Sequence, residues 1–232
     1  MMPSTLSPSK RKTAGGPDVT SVATFRNLYT RILLSLQAQQ HQVLGVTSAI
    51  DGEGKTTMAA GLTAALAEDR ALLGFGRDAD TALFIGCNTG QPPVDARLAV
   101  RPGPGLIQLL RGECELDEAI QQTAVERLAI LPLGEPAHSF PLMIRTAALS
   151  DVIVELRSRF GLVVLDLPAV LNSTDTQVLA RLADQLVLVV RAGVTPAKLV
   201  RQALDQIGEE RFLGVVLNDA HSDLPAWLEH RI

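Results

Sequence analysis

The chain has 232 residues, a formal net charge of −4, 47% hydrophobic and 20% charged residues, enough for one domain with its own core. Mild acidity argues against nucleic acid as the main partner, because phosphate contacts need clustered Lys and Arg. No apolar run approaches the roughly 20 residues that span a bilayer, and two cysteines without metal-ligand spacing, Cys87 and Cys114, fit a reducing cytoplasm.

The first 18 residues, MMPSTLSPSKRKTAGGPD, have no apolar stretch after their basic residues, so they do not read as a secretory signal. Residues 1–20 read as a disordered tail in which KRK (10–12) is either a solvated charge run or a contact for anionic lipid or a partner. Val22, Phe25, Leu28, Ile32, Leu33 and Leu36 recur at helical spacing and predict a helix. QVLGVTS (42–48) then predicts a buried strand, Lys55 to about Leu73 a helix, and TALFIGCN (81–88) a second buried strand. Short helices are expected over 105–113 and 116–123, a strand over 127–134 and a helix over 142–160. GLVVLDLP (161–168) predicts a strand, residues 174–182 a helix, and QLVLVVRAG (185–193) a strand. Thr195 offers an N-cap and Pro196 the first helical position, for a helix running to Ile207 and closed by Gly208. FLGVVLND (212–219) predicts the last strand, and residues 221–232 a polar C-terminal tail. Strands this continuously apolar are covered on both faces. The expected fold is therefore α/β, a three-layer arrangement around a mostly parallel sheet, in one domain over residues 21–220.

The segment SAIDGEGKTT (48–57) sits between a predicted strand and a predicted helix, the context a Walker A phosphate loop requires. Ala49 stands where the usual pattern has its first glycine. Gly52 and Gly54 let the backbone curl so that N–H groups along Asp51–Thr57, Glu53 included, point at phosphate oxygens. The following helix adds partial positive charge. Lys55 would reach the β- and γ-phosphates, Thr56 would ligate Mg²⁺, and Thr57 would add a hydroxyl contact. LVVLD, ending in Asp166, looks like a Walker B strand whose carboxylate holds Mg²⁺. Together these predict a Mg²⁺–ATP site.

FRNLYTRILLSL, VTSAIDGEGKTT, PGPGLIQLLRGE, LAILPLGEP, LVVLDLPAVLNSTD, LVLVVRAGVT and LGVVLN follow one another in the order and spacing of bacterial tyrosine autokinases of capsule and exopolysaccharide synthesis. Over residues 22–218 the chain resembles the free-standing type, which works with a separate membrane chain-length regulator. Ile50 stands where the related partitioning and division-site ATPases carry an extra lysine, which argues against their dimer mechanism. The resemblance implies an adenine contact from Asn218, whose alternative reading is a turn-forming Asn after a strand. It also implies positions near the nucleotide for Arg191 and Asp175.

The resemblance departs at the family's third element, an apolar strand ending in Asp-x-Asp (Walker A′) whose carboxylates bind Mg²⁺ and activate the attacking tyrosine. Aligned backward from GPGL, the strand is ALFIGCN, and Gly86 and Asn88 occupy the two acidic positions. An amide accepts no proton at neutral pH. Counted forward from Lys55, RDAD instead brings Asp78 and Asp80 to the expected place, but GFGR makes a poor central strand. The first register is preferred, and Asp78 and Asp80 stay candidates for the missing catalytic carboxylate, beside Lys55. The family's C-terminal tyrosine cluster is also absent: the one tyrosine is Tyr29. The family's N-terminal contact motif reads Ala23, Arg26, Tyr29, so its ring-closing charge pairs are mostly missing.

Two functions compete. One is a Mg²⁺–ATP-dependent tyrosine kinase or slow ATPase of polysaccharide export. The other is a catalytically impaired nucleotide-binding module that regulates a membrane polysaccharide co-polymerase or a partner kinase. The implied partners are a membrane chain-length regulator and a homo-oligomer or partner kinase. The implied location is the cytoplasm, at the inner face of the membrane. Trp227, His221, His230 and His138 have no ligand spacing and read as surface, loop or tail-docking residues.

Overall fold

The structure, a computed structural model, describes residues 30, 32, 43–73, 81–89, 101–135 and 140–220. Strand β1 (Val43–Ser48) is followed by helix α1 (Lys55–Leu73) and β2 (Ala82–Gly86). Two short helices, α2 (Leu106–Leu110) and α3 (Leu116–Ala119), lead into β3 (Gln121–Gln122) and β4 (Leu128–Leu131). Helices α4 (Phe140–Met143) and α5 (Ala147–Arg159) precede β5 (Leu162–Asp166). Helix α6 (Asp175–Ala180), β6 (Gln185–Arg191), α7 (Ala197–Ile207), a 3₁₀ turn (Glu209–Arg211) and β7 (Phe212–Asn218) complete the order.

The strands form one sheet in the order β3-β4-β2-β5-β1-β6-β7. Every pairing is parallel except β3 with β4. The expected α/β layering is what the chain adopts. β1, β2, β4 and β5 are buried at every position, as their unbroken apolar runs predict for strands covered on both faces. On one face Leu44, Val46, Phe84, Val164 and Val189 pack with Met58, Leu62 and Leu66 of α1, and Ile32 joins this cluster. On the other, Leu83, Ile85, Leu131, Val163 and Leu165 pack with apolar residues of α2–α6. A smaller cluster sets Leu188 and Val190 of β6 under Ala203 and Leu204 of α7.

Three expectations need correction. Residues 121–122 are an antiparallel edge strand instead of the end of a helix. There Gln121 bonds the backbone of Arg101 in both directions, its Oε1 accepting from N–H and its Nε2 donating to C=O. The single helix over 142–160 is two helices. Thr146 is extended (φ −90°, ψ 160°) and donates its hydroxyl back to the Met143 carbonyl, 2.7 Å, which ends the first helix before the second begins. The cap of α7 falls on Pro196, one residue later than expected, because the Thr195 hydroxyl is engaged by Glu53. Gly208 does close that helix, at φ 103°. The expected N-terminal helix is described only at Thr30 and Ile32, both helical. Asp78, Asp80, Tyr29, His138 and both terminal tails lie outside the described residues.

Candidate nucleotide site

Parallel strands bring their carboxyl ends to one edge of the sheet, and the candidate residues collect there. β1 ends at Ser48, and the backbone turns through Gly52 (φ 84°) and Gly54 (φ 88°) into α1. That left-handed conformation favours glycine at both positions. Gly54 is constrained twice, because a Cβ there would collide with Nδ2 of Asn218. Ala49 is fully buried among Val170, Leu188 and Val190. It is absent from the residues with positive φ, so alanine costs no strain where the usual pattern has glycine.

Lys55 opens α1 and is 5% exposed, and its Nζ lies 3.1 Å from Asp51 Oδ1. The ammonium is thus held against the loop by an exposed carboxylate four residues earlier. Thr56 donates its hydroxyl to Asp166 Oδ2 at 2.8 Å. Asp166 is fully buried at the end of β5, in register with Val46 on one side and Gly86 on the other. Thr57 stands exposed on the first turn of α1. The expected phosphate loop and the expected Walker B acid, 110 residues apart in sequence, therefore meet through Thr56 and Asp166.

β2 falls within residues 81–88, where the strand of the backward alignment was expected. Residues 82–86 form a central strand between β4 and β5, so Gly86 runs beside Asp166. Asn88, two residues on, donates its Nδ2 to Thr56 Oγ1 at 3.2 Å. The expected place of an acid beside the loop hydroxyl is taken by an amide. Between them Cys87 is buried, and its N–H donates to the Asp166 carbonyl at 3.0 Å. Burial, and secondarily the Asp166 charge, raises the Cys87 thiol far above its usual range.

Glu53 plays a part that its position in the motif did not disclose. Its side chain is 2% exposed and accepts the N–H of Ile50 (2.8 Å), the N–H of Arg191 (3.2 Å) and the hydroxyl of Thr195. Its carbonyl accepts Asn218 Nδ2 at 2.9 Å. One acidic residue thereby latches the loop to the ends of β6 and β7. The resemblance made Asn218 an adenine contact; here one of its amide protons is engaged by the loop itself. The Arg191 guanidinium pairs with Asp219, 2.7 Å, and Asp175 pairs with Arg145, 3.2 Å.

These groups suit a magnesium–nucleotide complex. Mg²⁺ takes hard oxygen ligands and is usually held by one or two carboxylates together with substrate phosphates and water. One buried carboxylate beside one hydroxyl, at the mouth of a loop with a buried ammonium, is such a set. Among the described residues no group of three His, Cys, Asp or Glu side chains forms an all-protein metal cage.

No family model matches the chain. It is 30% identical over 207 residues to the succinoglycan biosynthesis transport protein ExoP of Rhizobium meliloti, covering 87% of this chain and 25% of that protein. It is 26% identical over 202 residues to the tyrosine-protein kinase CpsD of Streptococcus agalactiae, covering 85% of this chain and 83% of that one. The chain thus spans a quarter of the first relative and most of the second. The crystal structure of the VpsO kinase domain superposes with a TM-score of 0.75 at 27% identity, covering 87% of this chain and 97% of that domain.

Proposed function

The chain belongs to the bacterial tyrosine-kinase family of P-loop proteins, and from that premise we propose that it binds a Mg²⁺–adenine nucleotide through residues 51–57 and Asp166. The carrying observation is the 2.8 Å bond from Thr56 to Asp166 beside the buried Lys55. Loop amides and the start of α1 take the phosphates. Lys55 exchanges Asp51 for phosphate oxygens, and Thr56 and Asp166 hold the metal. Bound Mg²⁺ supplies charge neutralisation between phosphates. Arg191 and Asn218 border this site through Glu53.

Asn88 favours the reading in which the protein is a regulatory module over the reading in which it transfers phosphate. Its amide cannot take a proton from an attacking hydroxyl. The kinase reading needs Asp78 or Asp80 to supply that acid. In either reading the partner is a membrane regulator of polysaccharide chain length or a second kinase chain, met from the cytoplasmic face. No described helix is long and apolar enough to cross a membrane.

Calorimetry with Mg²⁺–ADP tests the binding. Saturable heat that weakens roughly 10- to 100-fold in Lys55→Met is expected, the size of a lost charge-assisted contact. No heat and no thermal protection at millimolar nucleotide would refute it. Incubation with radiolabelled ATP separates the two readings. Label on protein that disappears in Asp78→Asn/Asp80→Asn establishes the kinase, and binding without turnover establishes the module.

A further inference from the structure

The acids at the expected phosphate loop face different groups. Glu53 turns inward to the N–H groups of Ile50 and Arg191 and the hydroxyl of Thr195. Asp166 accepts the hydroxyl of Thr56. Asp51 faces Lys55, with its Oδ1 3.1 Å from Nζ. The two side chains of that pair differ in setting, the lysine 7% and the aspartate 60% exposed. Their i, i+4 spacing is not that of neighbours on a helix face, because Asp51 precedes α1, which starts at Lys55. The pair spans the loop instead, across Gly52 and Gly54, whose left-handed conformations curl the backbone. Among the described residues, chain neighbours aside, nothing lies within 4 Å of the place a Cβ on Gly52 would take. Asp51 therefore borders open space on that side. A buried ammonium costs free energy unless an anion pairs with it. Here the chain supplies the anion itself, at the atom a phosphate-binding lysine offers to the β- and γ-phosphates.

We propose, resting on the reading that residues 51–57 bind a nucleotide, that Asp51 is a specificity-determining residue. Its carboxylate stands in for a terminal phosphate oxygen on Lys55 and sets the loop to prefer a nucleoside diphosphate to a triphosphate. An incoming phosphate displaces the carboxylate from Lys55. The exposed side chain can turn toward solvent, but its single methylene cannot carry the charge away from the mouth of the loop. A triphosphate brings its terminal phosphate, which carries the most charge, to Lys55 and so beside that carboxylate. A diphosphate ends one phosphate earlier and meets less repulsion. The other two acids do not discriminate in this way. Glu53 is latched behind the loop, and Asp166 stands at the hydroxyl that would share the metal.

Calorimetry of the full chain with Mg²⁺–ADP, and with the Mg²⁺ complex of a non-hydrolysable ATP analogue, tests this. The unaltered chain is expected to bind ADP more tightly than the analogue. Asp51→Asn should lower the Kd of the analogue relative to that of ADP about 3- to 10-fold, the effect of one partly screened charge. Asp51→Ser is the second neutral variant, in case the first does not fold. The gap between variant and unaltered chain should narrow as salt is raised from about 0.05 M to about 0.5 M, because screening shortens the reach of an exposed charge. A merely structural role would leave that gap where it was. Tighter binding of the ATP analogue by the unaltered chain overturns the inference. So does a ratio that neither neutral variant moves, or a shift that salt does not touch. In each of those outcomes the nucleotide still binds and the binding reading stands. No heat from either nucleotide, in the unaltered chain or the variants, overturns the binding reading and this inference together.

Discussion

Strands β2 and β5 lie side by side, parallel and buried along their whole length, and they end in different chemistry. β5 ends in Asp166, which accepts the Thr56 hydroxyl. β2 ends in Gly86, and two residues later Asn88 donates to that same hydroxyl. One oxygen of the phosphate loop thus stands between a carboxylate and an amide. The apolar body of a strand answers to packing and leaves its last residues to chemistry. A chain can therefore keep the whole sheet while the polar groups at its strand ends differ.

Four experiments bear on this contrast. Asp166→Asn makes both strand ends amides. It should remove the magnesium dependence of nucleotide binding, with Mg²⁺–ADP affinity down about 10- to 100-fold and metal-free ADP unchanged, read by calorimetry. Equal loss with and without metal would show that Asp166 acts on the fold and not on the ion. Next, Glu53→Gln tests whether the loop is held from behind. A carboxamide keeps one acceptor oxygen where the carboxylate uses two, so a bond to Arg191 or Ile50 is lost. About 1–3 kcal/mol of stability is expected to go, visible in thermal denaturation, with nucleotide affinity weakened alongside.

Asn88→Asp makes both ends acidic. Without metal, two carboxylates around one hydroxyl repel, and the melting temperature should fall by a few degrees. Mg²⁺–nucleotide should more than recover it, with affinity raised about 3- to 10-fold, or 0.7–1.4 kcal/mol. A variant insensitive to magnesium would place Asn88 away from the ion. The smallest effect concerns Cys87, which lies between the two ends. Its thiol is raised above the ordinary 9.0, mainly by burial. The folded state thus keeps a proton that the unfolded chain releases. Its contribution to stability is complete below pH 9 and declines as pH rises further. In native protein at pH 8 a thiol reagent should label Cys114, which is partly exposed, and spare Cys87 until urea is added. Prompt labelling of both would contradict the burial.

Much of the site was legible in the residues. The loop glycines, Lys55, Thr56 and Asp166 are bound to strand-to-helix junctions that periodicity marks. The backward alignment that ended β2 near Gly86 agrees with the sheet, because GFGR lacks the apolar run a central strand needs. Asp51 with Lys55 is an i, i+4 pair open to the same reading. Less legible were the break at Thr146 and the short pairing of Gln121–Gln122, where a side chain bonding to backbone overrides a local pattern.

By itself, the order of residues determined the α/β layering, the phosphate loop and the acid at the end of β5. Those follow from apolar period, turn glycines and helix starts, all of which act over a few neighbours. Only the tertiary structure decided that Glu53 faces Arg191 and Thr195, that Asn218 holds the Glu53 carbonyl, and that Asn88 shares Thr56 with Asp166. Those contacts join groups 32 to 165 residues apart. A side chain's partner at that range is chosen by which strand ends the sheet order brings together, and no local preference encodes it.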